Sequence, residues 1–257
     1  IEHDQLPGLK EAAVASEMGK SELRLGVRKE WPLLATVLSK GLASITPEEH
    51  RTIRQRWLGG AKDKTVLRLT ASEHAWLAAH PKIRIGIDGA YAPYSFLGEN
   101  GKYQGVAPDF IRLLGDMLGI EIEPVPGLNW LEILEGARSR TLDVVATAAR
   151  TLEREKFLSF TDIYIKTPLV IMTRSDDARI RGPQDLIGKR IALIEGYASA
   201  QRVLDEYPQA DVYWVKTPLD GLRAIATGIA DAHVGVLGNN VFLANQHGIS
   251  NLKVAAG

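Results

Sequence analysis

The chain has 257 residues, 45% of them apolar and 24% charged, the composition of a globular protein with a real core. Lys+Arg and Asp+Glu both number 31, and this balance argues against nucleic acid as a partner, because phosphate binding needs a basic excess. The absence of cysteine rules out a disulfide framework, a thiolate nucleophile and a cysteine-ligated zinc site.

No run approaches the roughly 18 consecutive apolar residues of a membrane span. Ile1-Glu2-His3-Asp4 lacks the features of a signal peptide and reads as the beginning of a processed piece. Residues 23–28 alternate as a strand does. Residues 32–45 form a predicted helix with Leu33, Leu34, Val37, Leu38 and Leu42 on its apolar side. Thr46-Pro47-Glu48-Glu49 is a strong helix start: a capping Thr, Pro at the first helical position, and Glu three residues after the cap. That helix runs to Trp57, and Trp57 and Trp76 are read as packing anchors. Residues 61–64 read as linker, and Thr70-Ala71-Ser72-Glu73 opens a short helix before Pro81.

From Lys82 onward strands and helices alternate. Strands are expected at 83–88, 120–125, 142–146, 168–173, 190–194, 212–215 and 233–236. Helices are expected at 106–118, 130–137, 199–206, 219–227 and 239–246. This alternation implies an α/β fold of mostly parallel sheet with helices on both faces. Two such sheets fit better than one, with a crossover in the charged, turn-rich residues 174–183. Gly8-Leu9-Lys10-Glu11-Ala12-Ala13 also echoes Asn251-Leu252-Lys253-Val254-Ala255-Ala256.

Four segments in order carry a family resemblance. The first is Asp88-Gly89-Ala90-Tyr91-Ala92-Pro93-Tyr94-Ser95-Phe96, with Asn100-Gly101-Lys102-Tyr103-Gln104-Gly105-Val106-Ala107-Pro108-Asp109 after it. The second is Leu142-Asp143-Val144-Val145, then Arg150-Thr151-Leu152-Glu153-Arg154 and Phe160-Thr161-Asp162-Ile163-Tyr164. The third runs from Asp185-Leu186-Ile187-Gly188-Lys189-Arg190 to Glu195-Gly196-Tyr197, and the fourth is Gly228-Ile229-Ala230-Asp231-Ala232-His233. Together they resemble the family 3 extracellular solute-binding proteins, especially the copies that serve as tandem sensor domains in bacterial hybrid histidine kinases. The resemblance implies a two-lobed periplasmic-binding-protein (Venus flytrap) fold with a ligand cleft between the lobes. Residues 82–165 would be lobe 1 and residues 166–257 the hinge and lobe 2.

Leu25-Gly26-Val27-Arg28-Lys29-Glu30-Trp31-Pro32 and Arg54-Gln55-Arg56-Trp57-Leu58-Gly59 resemble the end of such a domain. Residues 1–59 would therefore be a closing segment packed on lobe 1, joined through a linker at 60–81. Two arrangements satisfy this: the tail of one tandem domain followed by most of the next, or one circularly permuted domain. The segment would pack in cis or be swapped within a dimer.

The resemblance marks candidate ligand contacts. Asp88 closes the first strand, and Tyr91, Tyr94 and Phe96 offer aromatic faces, one of the three belonging to the core. The Arg of the family's TxxR step commonly clamps a ligand carboxylate, which makes Arg154 the leading candidate. The competing reading is a surface Arg paired with Glu153 or Glu155. Thr151 would cap a helix begun by Arg154, whose N-terminus favours an anion. Thr147, Ala149 and Arg150 share that loop, while Gly196, Tyr197, Ala198 and Ser199 form a turn into a second helix N-terminus.

Two departures bear on the ligand. Ala149 stands where amino-acid binders carry a hydroxyl, and Val236 where they carry the Asp that holds the α-ammonium; Asp88 or Glu195 would have to substitute. A small carboxylate or amino-acid-like solute follows, with the carboxylate without an α-amine favoured. The six histidines are scattered without metal-ligand spacing, so neither a metal nor a cofactor is expected. The expected function is a periplasmic sensor domain of a membrane-anchored histidine kinase. The alternatives are a dehydratase of the cyclohexadienyl type on the same fold, or a stand-alone transport binding protein.

Overall fold

The computed structural model describes residues 20–57 and 67–255. The chain divides into two compact units, one holding Glu22–Ile165 and the other the residues from Lys166 on.

In the first unit β2 (Lys82–Gly86) lies between β6 (Glu121–Pro124) and β7 (Val144–Ala149), parallel to both. β1 (Lys20–Arg28) then adds antiparallel to β7, and β8 (Leu158–Phe160) antiparallel to β1. The first part of the chain therefore supplies a strand to the sheet built by the second. Its helices follow the same course. α1 (Pro32–Ser44) and α2 (Pro47–Trp57) both pack on α4 (Val106–Leu118). Leu34, Val37, Leu38 and Leu42 are buried there, while Leu33 stays at the rim. The start of α2 is capped as its sequence requires, with Glu49 N–H on Thr46 Oγ1 and the Glu49 carboxylate returning to the Thr46 N–H.

α3 (Ala71–Ala79) opens on a capping box of Thr70 and Glu73. Lys40 of α1 donates to the Glu73 carboxylate at 2.7 Å, tying the two helices. Trp76 and His80 stack at 4.0 Å, and Trp31 meets both rings edge-on. Trp76 is thus a packing residue, as expected. α5 (Trp130–Arg138) completes the unit, beside a small antiparallel sheet of β3 (Ala90–Tyr91), β4 (Ser95–Leu97) and β5 (Tyr103–Gln104).

In the second unit β10 (Arg190–Ile194) lies parallel between β11 (Asp211–Val215) and β12 (Ala232–Val236). β9 (Ile165–Arg174) joins β12 antiparallel, and β13 (Leu252–Val254) joins β9 antiparallel. α6 (Ala198–Glu206), α7 (Pro218–Ala226) and α8 (Leu237–Gln246) follow β10, β11 and β12.

Each sheet is therefore a parallel trio with antiparallel additions, a mixed sheet rather than the mostly parallel one expected. Residues 174–183 are not the crossover. The division falls between Ile165 and Lys166, and the charges of 174–183 are consumed within the second unit, where Asp177 pairs with Arg179 at 2.6 Å and Arg179 with Asp231 at 3.1 Å. The echo at 8–13, the side chain of Trp57 and residues 58–59 lie outside the described residues.

Candidate ligand-binding site

The far end of β7 is irregular. Its register with β1 shifts by one between Arg24↔Ala148 and Gly26↔Val145, so Ala146 and Thr147 together face Leu25. This is a β-bulge, a device that re-aims side chains beside functional sites. Thr147 takes φ +51°, a left-handed conformation costing a β-branched residue about 1–2 kcal/mol. The backbone groups freed by the bulge find side chains. Leu25 N–H donates to Thr161 Oγ1 at 3.1 Å and Thr161 N–H to the Leu25 carbonyl at 3.1 Å. Thr147 N–H donates to the Tyr164 hydroxyl oxygen at 3.3 Å.

The loop after β7 folds back on it. Arg154 is only 5% exposed, and its guanidinium donates to the Ala149 carbonyl at 2.6 Å and stands 5.0 Å over the Trp130 ring. The surface pairing falls instead to Arg150 with Glu155 and Lys156 with Glu153. Thr151 Oγ1 accepts the Arg154 N–H at 3.3 Å, but not as the expected helix cap. Arg154 opens only a three-residue 3-10 turn, Arg154–Lys156, whose cap position is Glu153 without a side-chain cap bond, and so short an element has no helix dipole to offer an anion.

Tyr91 reports on what surrounds this loop. Burial pushes its hydroxyl well above the ordinary tyrosine range, with Tyr94, Asp88 and Tyr164 pushing the same way and the Arg154 charge opposing them. Asp88, Tyr91, Tyr94, Arg154 and Tyr164 thus share one neighbourhood of the first unit. Asp88 Oδ1 also accepts the Ala90 N–H at 2.9 Å, the turn-forming role. Two of the aromatic trio, not one, are buried: Tyr91 and Tyr94, 5.4 Å apart, while Phe96 is half-buried. Arg150 lies at the surface in its ion pair.

In the second unit Gly196 takes φ +76° in the turn after β10, which glycine adopts without strain, and Tyr197 stands at the cap of α6 with Ala198 and Ser199 in its first turn. Val236 is buried at the cap of α8, and Glu195 is exposed. Among the described residues no three His, Cys, Asp or Glu gather into a metal-holding group.

Two further residues belong to this neighbourhood. Trp130 sits at the first position of α5 behind a capping box of Asn129 and Glu132. Its sequence signal is the Asn-Trp-Leu-Glu start, which fixes an aromatic at a helix N-terminus. Tyr164 was visible as a motif residue, but its role depends on a bulge that the sequence does not announce.

Residues 83–246, more than half of the chain, match the bacterial extracellular solute-binding proteins, family 3. The virulence sensor protein BvgS of Bordetella pertussis is 27% identical over 234 residues, covering 90% of this chain and 19% of BvgS. The sensor protein EvgS of Escherichia coli is 23% identical over 225 residues, covering 86% of this chain and 18% of EvgS. The chain thus spans about a fifth of the length of these curated relatives. Among solved structures, the BvgS periplasmic VFT2 domain of B. pertussis is similar with a TM-score of 0.65 at 26% identity, over 73% of this chain and 80% of that one. These relatives are sensor and binding proteins, and the mixed sheets with flanking helices are those of a periplasmic-binding-protein fold. The chain belongs to the bacterial extracellular solute-binding proteins of family 3.

Proposed function

We propose that this chain is the periplasmic sensor part of a membrane-anchored histidine kinase and binds a small carboxylate solute. The observation that carries the proposal is Arg154, a buried guanidinium among Tyr91, Tyr94, Asp88 and Trp130 in a chain whose sensor relatives align over most of its length. A planar cation withdrawn from water suits a carboxylate partner. On this reading Asp88, Tyr91, Tyr94, Phe96, Thr147, Ala149 and Arg154 form the first unit's share of the contacts, with Arg150 at its margin. Within the second unit, Gly196, Tyr197, Ala198 and Ser199 are the candidate contacts. Residues 20–57 act as the closing segment of a solute-binding domain.

The relatives include a probable amino-acid ABC transporter-binding protein of Haemophilus influenzae, 29% identical over 178 residues, which keeps a transport role as the second reading. Val236 bears on the ligand. A buried ammonium without a carboxylate partner costs several kcal/mol, so carboxylates without an α-amine are preferred over ordinary amino acids unless Asp88 or Glu195 takes the place of the missing carboxylate. A thermal-shift panel of succinate and other amine-free carboxylates against L-arginine, L-glutamine and L-cystine tests this. The expected preference is at least about tenfold in apparent affinity. Stabilisation by a plain amino acid at micromolar concentration would defeat the argument from Val236.

A further inference from the structure

We propose that Tyr164 is a positioning residue of the binding site, its hydroxyl oxygen holding the Thr147 amide so that the strained bulge presents two hydroxyl donors, those of Thr147 and Tyr164, to one oxygen acceptor of the solute. The inference rests on the carboxylate-solute reading above and names the residues that would meet the solute beside Arg154.

The bulge leaves one backbone donor in need of a partner, and Tyr164 supplies it at 3.3 Å. In doing so the phenol spends a lone pair and keeps its proton, for which no acceptor exists among the described residues. The Thr147 hydroxyl likewise makes no hydrogen bond among them. Both residues are mostly withdrawn from solvent, Thr147 at 5% and Tyr164 at 9% exposure, so an acceptor that enters meets their hydroxyls with little competition from water. The Tyr164 ring is fixed by an edge contact to Phe110 at 5.4 Å. Burial drives its hydroxyl far above the ordinary tyrosine range, so the group stays a donor at every physiological pH. Arg154 donates to the Ala149 carbonyl at 2.6 Å, two residues beyond Thr147 on β7, so the guanidinium already proposed for the solute holds the same end of the strand.

A residue that merely sealed the bulge would need neither the Thr147 hydroxyl nor a threonine at a position that glycine occupies without strain. Tyr164 directly precedes β9 and stands one residue before Ile165, the last of the first unit. The same side chain therefore fixes the bulge close to where the chain leaves this unit.

The test uses the whole chain, with amide exchange read by NMR and succinate titrated by calorimetry. Tyr164→Phe keeps the ring and should speed exchange at the Thr147 amide by about tenfold or more, while β2 amides keep their protection. Thr147→Val keeps the shape and removes the hydroxyl. It and Tyr164→Phe should each weaken succinate by about tenfold, the double variant by little more than either, and Thr147→Ser by less than about threefold. Unchanged Thr147 exchange in Tyr164→Phe overturns the positioning role. Wild-type affinity in Thr147→Val overturns the acceptor role. If the unaltered protein binds neither succinate nor L-glutamine, the carboxylate-solute reading falls and takes the acceptor role with it, while the exchange measurement still decides whether Tyr164 holds the amide.

Discussion

The two ends of β7 treat buried polar groups in opposite ways. At its start Asp143 is 3% exposed and saturated. Its carboxylate accepts the Arg84 backbone N–H at 2.9 Å, the Arg84 Nε at 2.9 Å and a second guanidinium nitrogen at 2.8 Å, with Arg28 at 3.5 Å. Its own N–H and carbonyl go to Arg84 and Arg28 backbone groups. At the other end, four residues on, the bulge at Thr147 leaves hydroxyl donors unspent on the strand whose end the buried Arg154 guanidinium holds. A network that closes on itself holds the fold, whereas one with donors left over is prepared for something else. Both ends lie in motifs that resemble the family, so motif membership alone does not separate the two roles.

The largest effect should come from breaking the closed end. Asp143→Ala removes three hydrogen bonds to a charge and the Arg28 pairing; Arg28 keeps Glu30 and the Trp31 ring, and Arg84 recovers solvent because it is partly exposed. The expected loss is about 3 kcal/mol of stability, measured by urea unfolding, with little change in solute affinity if the protein is kept folded. A loss under about 1 kcal/mol would mean that the network is not closed as described. Burial alone would raise the Asp143 carboxyl, but the Arg84 hydrogen bonds and the two arginine charges outweigh it and hold it below its ordinary range. Its stabilisation is therefore present above the unfolded carboxyl range and is lost as pH falls through and below it.

At the open end the balance reverses. Arg154→Ala gives up the Ala149 carbonyl contact and the Trp130 stack, costing about 1–2 kcal/mol of stability. Its main effect should be on binding, a loss of about ten- to a hundredfold for a carboxylate solute. The comparison fails if Arg154→Ala and Asp143→Ala shift unfolding and affinity in the same proportion.

What could be read beforehand follows the range of the interactions involved. The start of α2 and the opening of α3 were legible because a cap is set by residues three apart, and the structure shows both boxes. The strand–helix alternation after Lys82 was legible because each element carries its own apolar period. β3, β5, β8 and β13 span two or three residues each, too few for any period to register, and the antiparallel additions depend on distant pairing. The bulge was hidden because Thr147 is a poor residue for positive φ, and only its partners Thr161 and Tyr164 reveal why it is held there. Arg154 was named from the resemblance, but its burial was not foreseeable, since arginine is rarely buried without a specific partner.

The smallest effect sharpens the comparison away from β7. Glu73 is a second closed carboxylate: it accepts the Thr70 N–H at 2.7 Å, the Thr70 hydroxyl at 2.9 Å and the Lys40 ammonium at 2.7 Å. The Lys40 bond first, then the Thr70 backbone bond, lower its carboxyl from 4.5 to about 2. A folded-state value below the unfolded one means that the unfolded chain binds the proton more readily. The stabilisation is therefore complete above about pH 4.5 and drains away as pH falls toward 2. Urea midpoints of the unaltered protein and Glu73→Gln should differ at pH 7 and converge through that window. Asp143 titrates in both proteins, so the difference between them cancels its contribution and isolates Glu73. A gap that stays constant from pH 7 to pH 2.5 would show that Glu73 holds α1 to α3 by shape and neutral hydrogen bonds, and that a closed network here owes nothing to its charge.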